Sequence, residues 1–201
     1  QVTYRESIST AADYKEEFSK VLAGKENAAC LTIHIEPRET GAGNSYTCAV
    51  HDNSIPKEIY EAIEQSIQSC FTSGIRMGYP CTDIAVSVTD IKYDELTAST
   101  FAFEAAAAEA FDKACESATP ELLEPVMEVD IECPSEFVGD AMSQITQRGG
   151  MIVSMDEKSG ESVIHAKAPM AKMFGFSTNL RSVTQGRASF GMVFSHFQVK
   201  V

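Results

Sequence analysis

Beyond residue 122 the hydrophobic period of this chain switches repeatedly between two and 3.6 residues, and the order of the switches leaves few folds open. Alternation marks a strand over residues 123–132. A helical period over 135–148 turns Phe137, Val138, Ala141, Met142 and Ile145 inward until Gly149-Gly150 stops it. Strands over 151–156 and 161–167 flank a turn at 157–160. A helix beginning at Pro169 carries Met170, Met173, Phe174 and Leu180 as its buried stripe, and a last strand alternates through Phe190, Met192 and Phe194. The order β-α-β-β-α-β predicts four antiparallel strands with both helices on one face, the ferredoxin-like plan.

The first 120 residues form a separate unit, because Pro120 and the fresh start at Leu122 mark a domain boundary. Strands at 28–36 and 45–51, joined through the turn-like run 39–44, predict a hairpin. Ser54 and Pro56 open a helix whose Ile59, Ile63, Ile67 and Phe71 recur every fourth residue up to Gly74. Residues 82–90 alternate as a strand. A second helix over 99–118 buries Phe103, Ala106, Ala107, Ala110, Phe111 and Cys115 and exposes Glu109 and Lys113 as an i,i+4 pair. Two α+β domains, 1–120 and 121–201, are therefore expected.

Several chemistries are excluded or unsupported. The six cysteines never approach CxxC spacing and four scattered histidines have no second ligand at helical or hairpin distance, so buried thiols and no metal site are expected. His165 and His196 sit in strand patterns, which predicts polar positions on an open sheet face. Gly24-Lys25 runs into Glu26 and lacks the earlier glycine of a phosphate-binding loop, so the chain is expected neither to bind nor to hydrolyse a nucleotide. No catalytic residue is assigned. The most apolar stretch, 101–111, is broken by Glu104 and Glu109 far short of the roughly 20 residues a membrane span needs. No signal peptide follows Arg5-Glu6, and a reducing, cytoplasmic setting is expected. With Gln1 first and no methionine before Met77, an excised or processed piece is expected.

Charge argues against simple nucleic-acid binding, since 29 acidic residues outweigh 16 basic ones for a net of −13. Yet residues 162–201 hold Lys167, Lys172, Arg181, Arg187 and Lys200 and no carboxylate side chain. One basic surface survives in an acidic chain.

That segment carries a resemblance. The run Ala168-Pro-Met-Ala-Lys-Met-Phe-Gly-Phe-Ser-Thr-Asn-Leu-Arg-Ser-Val-Thr-Gln-Gly-Arg-Ala-Ser-Phe190 resembles the C-terminal signature of elongation factor G, the ribosomal translocase GTPase, with Leu123-Glu-Pro-Val-Met127 and Arg148-Gly-Gly150 upstream. Val2-Thr-Tyr-Arg-Glu6, Gly78-Tyr-Pro80 with Asp83, and Ala102-Phe103 are similar to the family's fourth domain. The resemblance implies a fourth domain with a ribosomal-protein-S5-like fold, a ferredoxin-like fifth domain, and GTPase, second and third domains outside this chain, where GTP and magnesium would bind. It implies ribosomal RNA and ribosomal proteins as partners, with a monomer, no membrane and no DNA expected. RNA or ribosome contact then falls to Lys172, Arg181, Gln185 and Arg187, with Thr184 as a further hydrogen-bonding group. For Arg181 and Arg187 an intramolecular carboxylate partner stands as the alternative. The domain-four tip falls at Lys92, Tyr93, Asp94 and Glu95, with Asp94 where the family usually has a histidine. Residues 7–20 stand where the family has a glycine-rich stretch. Both departures favour a divergent paralogue, acting in translocation, recycling or ribosome protection. A stand-alone regulator pairing S5-like and ferredoxin-like domains is the alternative.

Overall fold

The computed structural model describes residues 2–201 and divides into two compact units. One is Tyr4–Leu122. The other is Leu123–Val201, with which Val2 and Thr3 group, although the boundary at Pro120 assigns them to the first domain.

In Tyr4–Leu122 a four-stranded sheet runs β2 (Ala12–Leu22), β3 (Lys25–Pro37), β5 (Ile84–Lys92), β4 (Ser45–Cys48). Helices α1 (Lys57–Ser73) and α2 (Thr100–Ser117) cover one face. Leu31, Ile33 and Ile35 of β3 and Ile84, Val86 and Val88 of β5 point into the core, against Ile59, Ile63 and Ile67 of α1 and Phe103 and Phe111 of α2. These inward residues lie two apart on the strands and four or eight apart on the helices, which is what burial of a single face demands.

The predicted hairpin does not form. β4 pairs in parallel with β5, which lies between it and β3. The reason is Asp83, immediately before β5, whose carboxylate accepts the N–H groups of Gly41 (3.2 Å) and Gly43 (2.8 Å). That grip carries the 38–44 loop past the end of β5 instead of turning it back. The true hairpin joins β2 to β3 through Ala23 (φ 50°) and Gly24 (φ 75°), two left-handed residues in succession that suit the strand twist. The sequence pattern does not reveal β2. Its inward positions are Tyr14, Glu16 and Phe18, and the central carboxylate hides the alternation. Glu16 is buried there and pairs with Lys113 Nζ at 3.3 Å, so Lys113 turns to the sheet and the expected Glu109–Lys113 pair is replaced.

In Leu123–Val201 the strands are ordered β9 (Ser189–Val199), β6 (Pro120–Pro134), β8 (Glu161–Pro169), β7 (Met151–Lys158), all neighbours antiparallel. That is the ferredoxin-like order. A 3₁₀ turn (Ser135–Phe137) leads into a helix shorter than expected, α3 (Val138–Thr146), with Ala141 and Ile145 buried and Phe137, Val138 and Met142 half-buried. After Pro169 the chain makes only a 3₁₀ turn (Met170–Lys172), and α4 (Phe176–Val183) starts after Gly175, whose φ is 75°. The inward phenylalanine is therefore Phe176, not Phe174, and Phe174 is 94% exposed. Met170 is half-buried, while Met173 and Leu180 are buried as expected. In β9, Phe190 packs on Phe176 (ring centroids 4.9 Å apart), but Met192 and Phe194 remain exposed. An eight-residue helix is about 12 Å long and an eleven-residue strand about 36 Å, so α4 cannot cover β9 along its length.

One buried carboxylate organises the first unit. Glu6, in β1 (Arg5–Ile8), is 3% exposed and accepts the N–H groups of Arg76 (2.7 Å), Met77 (3.1 Å) and Tyr79 (3.0 Å). The 74–80 loop closes round it so tightly that a Cβ on Gly74 would lie 2.3 Å from the Tyr79 carbonyl and 2.6 Å from Glu6 Oε1. Gly74 also has φ 86°. Gly74→Ala should destabilise the protein by about 2–5 kcal/mol, combining left-handed strain with a clash. Gly160→Ala, with φ 81° but open space, should cost only about 1–2 kcal/mol. Glu6→Gln should cost about 1–3 kcal/mol because an amide cannot accept all three donors. Urea denaturation of the three variants checks the ranking.

Candidate functional site

The basic candidates sit on and around α4. Phe176, Leu180 and Thr184 face the core, so the opposite face presents Thr178, Arg181 and Ser182 at i, i+3 and i+4. Lys172 is exposed on the preceding 3₁₀ turn. Gln185 adopts φ 52° at the turn into β9. Thr184 does not join them: it is fully buried and its hydroxyl donates to the Leu180 carbonyl at 2.7 Å. Arg187 Nη1 donates to Glu136 Oε1 at 2.8 Å, and the guanidinium lies 5.7 Å from the Phe137 ring centroid. Both charges of that pair are more than half exposed, so the pair is weak.

Two residues beside this face escape sequence reasoning. Arg148, just beyond α3, donates from Nη1 to the carbonyls of Lys172 (2.7 Å) and Phe174 (2.8 Å) and lies over the Phe176 ring at 5.6 Å. Phe174 fits the periodic pattern of a core residue. The break at Gly175 is the only sequence signal of its exposure.

The tip candidates lie at the end of β5 and in the loop to α2. Lys92, Tyr93 and Asp94 line a shallow depression of about 430 Å³ with Glu17, Glu26, Ala28, Ala29, Cys30 and Thr97. Asp94 builds the loop: Oδ1 accepts the Leu96 N–H at 3.0 Å, and its carbonyl accepts those of Thr97 and Ala98 at 3.2 and 2.8 Å. The Ala28 N–H then binds the Thr97 carbonyl at 2.9 Å, fixing the loop to β3. Ser99, not Asp94, caps α2, accepting the Ala102 N–H at 3.1 Å. Tyr93 packs half-buried against the core, and Glu95 is exposed. Of the lining side chains Glu17, Glu26 and Asp94 are acidic and Lys92 is basic, and Lys15 stands 3.5 Å from Glu17, so carboxylates outnumber cations three to two.

None of these clusters pairs a nucleophile with a base. Burial raises the Cys70 thiol to about 11 and Cys81 to about 12, which keeps both protonated near neutrality. Cys30, Cys115 and Cys133 are likewise raised by burial. Among the described residues no group of three His, Cys, Asp or Glu side chains could hold a metal ion, and no helix is long and apolar enough to cross a membrane.

Comparison with known proteins assigns both units. Residues 1–119 match the family model of elongation factor G, domain IV, and residues 121–200 that of the elongation factor G C-terminus. The chain belongs to the elongation factor G family. It is 58% identical to elongation factor G 1 of Treponema denticola over its whole length, and 47% identical over 98% of its length to elongation factor G 2 of Treponema pallidum. It spans 31% and 30% of those relatives. A crystal structure of a Thermus thermophilus protein superposes on all of the chain with a TM-score of 0.89 at 30% identity, the match covering 30% of that protein. The family's two C-terminal domains thus carry the α4 face and the β5–α2 loop.

The open sheet faces hold histidines between carboxylates. His34 Nδ1 lies 2.8 Å from Asp13 and Nε2 3.5 Å from Glu36, while His165 Nδ1 lies 2.6 Å from Asp130 and Nε2 3.4 Å from Asp156. Both imidazoles are raised above their usual value, chiefly by the hydrogen bonds to Asp13 and Asp130. A raised folded value favours the protonated folded state. The resulting stabilisation is fully present below the unfolded value of about 6.5 and is lost as pH rises through the folded value. The thermal unfolding temperature should therefore decline as pH rises from about 6 to about 9. The His34→Gln, His165→Gln double variant should flatten that dependence in a circular-dichroism melt.

Proposed function

We propose that this chain is the ribosome-binding C-terminal portion of a translational GTPase acting in elongation, without catalytic activity of its own. The observation that carries this reading is the match of the two family models from residue 1 to residue 200. GTP and magnesium would bind a domain outside this chain, and the setting is the cytoplasm. The α4 face supplies the RNA contact: Arg181 and Lys172 neutralise backbone phosphate, while Thr178, Ser182 and Gln185 offer hydrogen bonds to sugar or base. Arg187, held by Glu136, contributes less.

Arg181→Glu in the full-length protein should weaken ribosome association and lower the salt slope by about 1 for each phosphate no longer neutralised. Arg187→Glu should do the same more weakly. Unchanged affinity and slope for Arg181→Glu, measured by co-sedimentation at several salt concentrations, would remove α4 from the interface.

The anionic tip favours a divergent role over rapid translocation, because carboxylates beside RNA phosphate repel it. Asp94→Asn with Glu95→Gln removes both charges yet keeps an acceptor for the Leu96 N–H. The full-length protein should translocate slowly as it stands and faster with this pair of substitutions. Rapid translocation by the unmodified protein in a reconstituted assay would refute the tip argument.

A further inference from the structure

A strand at the rim of a sheet leaves half of its backbone N–H and C=O groups facing water, where another strand can pair with them. Five strands stand at rims among the described residues, and four are blunted. β1 and β4 are only four residues long. β2 carries Asp13, Lys15, Glu16, Glu17 and Lys20. β7 shifts register between Ile152 and Ser154 and ends in Asp156, Glu157 and Lys158. β9 has no such protection: Ser189–Val199 contains no Asp, Glu, Lys, Arg or Pro, and its one shift against β6 falls at Ser195. Apolar side chains flank this bare edge on both faces. Met192 and Phe194 lie opposite the core residues Val129 and Met127, beyond the reach of α4, and are 38% and 40% exposed. Val193, on the open face opposite Glu128, is 59% exposed.

The residues of the edge select a second copy of the same edge. In an antiparallel pairing centred on Met192, Met192 meets Met192, Phe194 meets Phe190 and Val193 meets Gly191, all ahead of the shift at Ser195. Phe194 then joins an existing pair of rings, Phe190 and Phe176, whose centroids are 4.9 Å apart. Val193 covers the bare backbone of Gly191, and each methionine fills the gap beside the other. No charged side chains are brought opposite one another along the paired stretch. The two-fold axis closes the assembly at a dimer whose remaining rims are all blunted strands. A strand of arbitrary sequence would share the hydrogen bonds but not these contacts.

We infer that β9 is a self-association edge, through which two copies of this chain pair about Met192 into one continuous sheet. This departs from the monomer that the family resemblance implies. It rests on the strand edge alone and holds whether or not the chain binds ribosomes. A single strand pair is a small interface, so the dimer is weak and reversible.

Sedimentation equilibrium of the 201-residue chain from micromolar to millimolar concentration should show a monomer–dimer equilibrium. Added salt should strengthen it, because each copy carries a net charge of −13. Met192→Lys and Met192→Glu each place like charges together at the axis and should weaken dimerisation about 100-fold. An equal mixture of the two should recover the dimer, since lysine then meets glutamate. Amide hydrogen exchange of the unmodified chain tests the edge without any substitution. Amides within Ser189–Phe194 should gain protection as concentration rises, and those of β7 should not. The inference is overturned by a chain that stays monomeric, by variants that dimerise as the wild type does, or by a mixture of folded variants that associates no better than its parts. Protection gained at β7 instead of β9 would overturn it equally.

Discussion

Each sheet in this chain has two faces and helices enough for only one, and most of the structure follows from that constraint. A strand buried on one side must alternate. In the first unit the alternation delivers Leu31, Ile33, Ile35, Ile84, Val86 and Val88 to α1 and α2; in the second it delivers Val129, Ile131, Ile164, Ala166 and Ala168 to α3 and α4. The intervening residues must satisfy themselves in the open. Both units answer with a histidine between two carboxylates: His165 of β8 lies between Asp130 of β6 and Asp156 of β7, and His34 of β3 between Asp13 of β2 and Glu36 two residues along its own strand. The covered faces are filled by packing, so recognition is left to helix exteriors and loops.

Those loops are shaped by charged side chains bonded to backbone. Glu6 gathers three amide donors and closes the 74–80 loop, and Asp83 gathers two and sets the course of 38–44. Arg148 does the converse, gathering two carbonyls to fix the connector before α4. A buried carboxylate is tolerable only when its oxygens are occupied, and Glu6 at 3% exposure meets that condition through main-chain donors alone. This gives the Gly78-Tyr-Pro80 and Asp83 motif a mechanical meaning: Tyr79 supplies one of the donors to Glu6, and Asp83 anchors the neighbouring loop.

What is legible in the sequence is the alternation itself. The β-α-β-β-α-β order and both helices of the first unit are visible because their inward positions are apolar. β2 is hidden by one residue, Glu16, which occupies an inward position and is neutralised by Lys113 from a helix nearly a hundred residues away. The course of the 39–44 run is equally hidden, since the partner that decides it, Asp83, lies some 40 residues further along the chain, just before β5. Around α4 the sequence pattern puts Lys172, Arg181 and Gln185 on the surface, as the structure does, yet it makes Phe174 core and Thr184 a contact. Both errors come from one cause. Gly175 delays the helix, so the inward stripe is Phe176, Leu180 and Thr184, with Phe174 left outside.

An acidic chain can still present a basic face because electrostatics in salt water is local. Two unit charges 4 Å apart in water interact by about 1 kcal/mol, whereas beyond the Debye length of about 8 Å the interaction is small and screened. The net charge of −13 is therefore a poor guide to contact, and the sign of the charges within a few ångströms decides. Around α4 those charges are Arg148, Lys172, Arg181 and the Arg187–Glu136 pair; around the β5–α2 loop they are Glu17, Glu26, Asp94 and Glu95 against Lys92 and Lys15. On the ribosome-binding reading, the two domains would then respond oppositely to added salt. Screening would weaken contacts made by the α4 face and relieve repulsion at the tip, so divergence within the family can change what the tip does without loosening the hold of the C-terminal domain.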